Sequence, residues 1–104
     1  MTTNLRPQSL PKNWVFLAED EARRISEELT REVCSAHRLH GVAAKAVARH
    51  ARRDDFLFAV GLTQPKYVVV HLTWNVENSP EWPALTDFLN EADFRQNADA
   101  RLYG

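Results

Sequence analysis

The chain has one cysteine, three glycines and no apolar run approaching the eighteen or so residues of a membrane span. A lone Cys34 excludes an intramolecular disulfide and is compatible with a reducing compartment. Glycines at 41, 61 and 104 are too scattered to build a phosphate-cradling loop, and no nucleophile elbow occurs. The opening residues MTTNLRPQSLPKN lack the continuous apolar core of a secretory signal, and their Pro, Ser, Thr and Asn read as a flexible lead-in over 1–12. A net charge of −1 supplies no general attraction to nucleic acid or to a membrane surface. These absences point to a soluble cytoplasmic protein with no cofactor and no membrane partner.

What is present suits one folded domain. A chain of 104 residues can bury roughly two thirds of its unfolded surface and fold without disulfides. Apolar residues make up 44% of it, ten side chains are aromatic, and 26% of residues are charged. The charge is unevenly placed. Between His37 and Arg53 stand Arg38, Lys45, Arg49, Arg52 and Arg53 with no acidic residue, and all fourteen Asp and Glu lie elsewhere. Such a stripe either steers an anionic partner or protects a strand edge from aggregation.

Ala18, Ala22, Ile25, Leu29 and Val33 recur at intervals of three and four, which predicts an amphipathic helix ending near Ala36. Glu19, Asp20 and Glu21 suit its first turn. Asn13 could cap an earlier start, with Trp14 and Leu17 on the same stripe. After Gly41 the period changes to two. VAAKAVARHA is alanine-rich and fits helix or strand, but Gly41 before it and two clear strands after it favour a strand. With FLFAV (56–60) and YVVVHLTW (67–74) it makes three, joined by an Asp54-Asp55 turn and the turn GLTQPK. Leu85, Phe88, Leu89 and Ala92 are helically spaced and predict a short helix over Ala84–Glu91. The expectation is an α+β fold: a helix on a three-stranded antiparallel meander, then a short helix (α-β-β-β-α). The domain would span 13–95, leaving 96–104 as a frayed tail.

In the last strand Val68, Val70, Leu72 and Trp74 share one face, and Tyr67, Val69, His71 and Thr73 the other. The first set is the more apolar and should face the helix. A slip of one residue would bury His71 and Thr73 instead, so His71 is expected to point away from that core.

Three constellations could carry chemistry. Cys34, His37 and His40 have ligand types suited to zinc, but they leave a helix end in succession and need not converge. His71, His37 or His40 with Asp54 or Asp55 would supply the acid–base pair of a small hydrolytic or metal-dependent enzyme. The Arg49–Arg53 stripe could contact nucleic acid, though no aromatics interleave with it and the pI of about 6.4 argues against a nucleic-acid partner.

The segments HRLHG, DDFLF, VVVHLTW and the following WP loop together resemble a group of small bacterial proteins. That group combines an H-x-L-x-G segment, a DD-x-LF segment and a VVHLTW strand. The resemblance runs from Glu28 to Leu89, on His37, Leu39, Gly41, Asp54, Asp55, Leu57, Phe58 and His71 to Trp74. It implies a bacterial setting and brings no activity or catalytic residue with it.

The reading that follows is a non-catalytic protein-binding module, such as a toxin antagonist of the immunity or antitoxin type, or a regulatory subunit. Its partner would be another protein, met through charge complementarity, and a homodimer stays open. Tyr67, His71, Thr73, Trp82, Arg49, Arg52 and Arg53 are the candidate contact residues. Trp82, held between Glu81 and Pro83, is the most partner-like, since aromatic side chains in rigid loops often anchor interfaces.

Overall fold

The computed structural model describes residues 10–61 and 66–103. Its elements are β1 (Trp14–Phe16), α1 (Glu19–Glu32), β2 (Ala44–His50), β3 (Asp55–Val60), β4 (Lys66–His71), β5 (Ala84–Phe88) and α2 (Glu91–Tyr103). The strands form one sheet in the order β1-β2-β3-β4-β5, every neighbouring pair antiparallel. The class is α+β as expected, with five strands in place of three. Most of the GLTQPK turn and nearly all of the expected flexible segment lie outside the described residues. No helix among the described residues is long and apolar enough to cross a membrane.

Helix α1 starts later than Asn13 and ends before Ala36. Asn13 adopts φ 73° and its carbonyl accepts from the Ala51 amide at 2.7 Å, so the chain turns there and is not capped. Trp14, Val15 and Phe16 then pair with His50, Arg49 and Ala48. Cross-strand pairing outweighs the helical spacing that Trp14 shares with Leu17. Within α1, Ala22, Ile25 and Leu29 are buried against the sheet, as their stripe requires.

Alanine-rich β2 is held as a strand by pairing on both sides, with β1 and with β3. Ala46 belongs to the core beneath α1, whereas Ala48, two residues on, belongs to the core on the opposite face. Strict alternation would put both on one face. A bulge between them shifts the register from Ala46↔Phe58 to Ala48↔Leu57 and reverses the facing. The disturbed ladder is satisfied from both sides: the Ala46 amide donates to Ser26 Oγ at 3.0 Å, and the Val47 carbonyl accepts from the Leu17 amide at 3.0 Å.

The sheet is covered on both faces. Phe56, Phe58, Val68, Val70 and Leu72 pack under α1; Trp14, Leu57, Tyr67, Val69 and Phe88 pack under α2 with Phe94 and Ala98. Two expectations about the C-terminal part are corrected. Ala84–Phe88 is strand β5, not a helix: Phe88 lies opposite Tyr67 and Leu85 opposite Val70, on opposite faces of the sheet. Residues 96–103 are helical and docked, not frayed, because Phe94, Ala98 and half-buried Leu102 form a narrow stripe at intervals of four. An Asn-x-x-Asp cap starts this helix. The Asp93 amide donates to Asn90 Oδ1 at 2.8 Å, and the Asp93 carboxylate accepts from the Leu89 amide at 2.9 Å.

Candidate functional site

Strand β3 begins at Asp55 and β4 ends at His71, and these two residues face each other across the ladder. Both point away from the α1 core by strand parity, as expected for His71, and the face they share is the one α2 covers. Asp55 is buried and its carboxylate is divided between two partners. His71 Nδ1 lies 2.7 Å from Oδ1, and the Tyr103 hydroxyl donates to Oδ2. Burial and the Asp55 carboxylate push the Tyr103 hydroxyl well above the ordinary tyrosine range, so it stays protonated as a donor. The Tyr103 ring also stacks edge-on to His50 at 5.4 Å and lies under the Arg53 guanidinium at 4.4 Å. Burial holds His50 below the ordinary histidine range, and its Nδ1 accepts from the Arg52 amide at 3.0 Å. The end of α2 is thereby fastened to the sheet.

On the α1 face, a second buried carboxylate governs the chain that leaves β4. Glu32, the last residue of α1, is fully buried. Its Oε1 accepts from the Thr73 amide at 2.9 Å and from the Thr73 hydroxyl at 3.2 Å, and its Oε2 accepts from the Trp74 amide at 2.7 Å. The Glu32 carbonyl accepts from the Glu77 amide at 3.0 Å. A helix C-terminus thus grips the β4–β5 loop with side chain and backbone together. Burial, helped by Glu28, raises the Glu32 pKa to about 7, while the Thr73 and Trp74 donors oppose the shift.

That grip corrects the expected strand to Trp74. The ladder ends at His71, Thr73 turns toward Glu32 and not to the His71 face, and Trp74 takes φ 63°. Leu72 remains in the α1 core, but Trp74 is 45% exposed, its ring roughly perpendicular to that of Phe56 at 6.0 Å between centroids. Trp82 is 44% exposed further along the same loop. Asp54, His71, Thr73, Trp74, Glu77 and Trp82 together border an open concavity of about 380 Å³.

The remaining candidates disperse. Tyr67 is buried under α2, so its neighbours are internal. Arg49 turns to the α1 face, 3.3 Å from Glu21 and over the Phe56 ring, while Arg52 and Arg53 lie toward Tyr103. The basic stripe is therefore split between two faces. Arg38, earlier in it, forms a bidentate pair with Asp87.

Cys34, His37 and His40 do not converge. His37 is buried with both ring nitrogens engaged: Nδ1 accepts from the Leu39 amide at 3.0 Å, which leaves Nε2–H to donate to the Pro83 carbonyl at 3.0 Å. His40 is exposed and lines a different concavity with Ser26 and Gly41. Among the described residues no group of three or more His, Cys, Asp or Glu could hold a metal ion.

The larger concavity, about 610 Å³, lies at the other end of β4 and β5 between Val60, Val68 and Leu89. Arg38 pairs with Asp87 and Arg101 with Asp93 along its rim. No protein-family model matches the chain, and no curated protein or solved structure matches it significantly.

Trp82 and Thr73 of the β4–β5 loop were singled out from sequence, but Glu32 was not, and Trp74 was placed in the core. A glutamate in the last turn of a helix opposes the dipole there, and that misplacement was the available signal.

Proposed function

We propose that this protein is a non-catalytic protein-binding module acting through the β4–β5 loop, in the manner of a toxin antagonist or a regulatory subunit. The observation that carries this reading is the pair of half-exposed tryptophans, Trp74 and Trp82, flanking one concavity on a loop tied to α1 by buried Glu32. Large aromatic side chains held at a surface lose little entropy on binding and dominate interface energetics. Exposed Val76 in the same loop extends the apolar area.

A second reading draws on one specific feature. His71 is oriented by a buried carboxylate, as a general base would be, and its side chain is half-exposed. Among the described residues its ring hydrogen-bonds only Asp55, so no nucleophile is paired with it. Binding is therefore the stronger reading.

The test compares wild-type protein with a Trp74→Ala/Trp82→Ala variant of matched melting temperature, both immobilised in extract of the source cell. A protein partner retained by the wild type and reduced by at least about tenfold in the variant supports the reading, a loss of ~1.4 kcal/mol or more. Equal retention by both proteins, or no protein partner for either, contradicts it.

A further inference from the structure

The chemistry around the concavity between the two tryptophans is specific enough to name what enters it. Its charged lining groups, Asp54 and Glu77, are both carboxylates, and among the described residues no lysine or arginine lines it. The nearest basic residues in sequence are turned elsewhere: Arg53 stacks on Tyr103, and Arg52 borders a separate hollow beside His50. His71 borders it as well, with Nδ1 2.7 Å from Asp55 Oδ1 and its side chain 52% exposed. Thr73 adds no free donor, because its hydroxyl lies 2.7 Å from Glu77 Oε2 and 3.2 Å from Glu32 Oε1. Two indoles and two carboxylates suit a cation with N–H groups and disfavour an anion.

We propose that the concavity bordered by Trp74, Trp82, Asp54, Glu77 and His71 receives a single cationic side chain, an arginine guanidinium or lysine ammonium, from the partner protein. This rests on the protein-binding reading above and specifies what the partner must present. Cation–π attraction from the indoles and charge-assisted hydrogen bonds to the carboxylates would act together. Glu32 is a positioning residue for the site, since it fixes the backbone on which Trp74 stands.

The pocket can be tested without the partner. The full chain, ¹⁵N-labelled, is titrated with N-acetyl-arginine methylamide and separately with the neutral citrulline analogue. The indole N–H signals of Trp74, Trp82 and Trp14 are followed, buried Trp14 serving as the internal control. The arginine probe should shift Trp74 and Trp82 saturably, with a dissociation constant on the order of 1–10 mM, and leave Trp14 in place. Citrulline should bind at least about tenfold more weakly, and Glu77→Gln should weaken the arginine probe by roughly three- to tenfold. Trp82→Ala should abolish the shift of Trp74 while the Trp14 signal reports an intact fold.

Trp74 and Trp82 signals that do not move with arginine, or that move equally with citrulline, overturn the cationic pocket. If that happens while the double tryptophan variant still loses its protein partner, the pocket fails and the binding reading stands. If the arginine probe binds but both proteins retain the partner equally, the binding reading fails instead.

Discussion

On one face of the sheet a buried carboxylate holds a loop; on the other a buried carboxylate holds a helix end. Glu32 receives two backbone amides and a hydroxyl from Thr73 and Trp74, so it dictates where the chain runs after β4. Among the described residues Asp55 receives side chains only, the His71 ring and the Tyr103 hydroxyl, so it docks α2 and orients a histidine without bending the strand. A carboxylate spent on backbone amides builds loop conformation. One spent on side chains joins elements that already exist. The surface feature of interest, two half-exposed tryptophans in one loop, belongs to the first kind.

The comparison can be broken at several points. The largest effect is expected from the helix cores: Phe56→Ala under α1 and Phe94→Ala under α2 should each cost about 3–5 kcal/mol in urea unfolding. Near-zero cost for Phe94→Ala would mean that the α2 face is not a core. Next, Glu32→Ala should cost roughly 2 kcal/mol, because it removes the acceptor of two partly buried amides. It should also broaden the Thr73–Glu77 amide signals while leaving those of β3 sharp. Tyr103→Phe should cost about 1 kcal/mol and speed hydrogen exchange only in the last turn of α2. Loss of loop order in that variant would erase the distinction between the two carboxylates. The smallest change belongs to Arg38→Ala, whose pair with Asp87 is exposed and should contribute within about 0.5 kcal/mol.

The pH dependence sharpens the same contrast. Folded Glu32 keeps its proton up to about 7, against an ordinary value of 4.5, so the folded state binds more protons than the unfolded state between those values. The Glu32 contribution to stability is complete below about pH 4.5 and is lost as pH rises through about 7. His50 acts in the opposite sense. Its depressed pKa gives stability that is present above 6.5 and lost as pH falls. Wild-type stability minus that of Glu32→Gln, measured by urea unfolding from pH 4 to pH 8.5, should isolate the falling component.

Much of the α1 face was legible in the sequence. The stripe of Ala22, Ile25 and Leu29 and the alternation of Val68, Val70 and Leu72 encode one packed layer at two periods. The α2 face was hidden for physical reasons. Its helix buries a stripe one residue wide, and Leu85, Phe88, Leu89 and Ala92 satisfy a helical spacing although Leu85 and Phe88 sit on opposite faces of a strand. Strand β1, three residues long, exists only because β2 is there to pair with it. At the site, the facing of His71 followed from strand parity, but its bond to Asp55 depended on the register between two strands. The grip of Glu32 on Trp74 spans 42 residues of sequence and left no local trace beyond a carboxylate at the unfavourable end of a helix.

The claim that one buried carboxylate shapes the tryptophan loop is tested most directly by following the side-chain carboxyl carbon of Glu32 by NMR across a pH titration, together with the Thr73 and Trp74 amides. The account predicts a Glu32 midpoint near 7, with both amide signals moving along the same curve. A midpoint near 4.5, or amides that ignore the titration of Glu32, would contradict it.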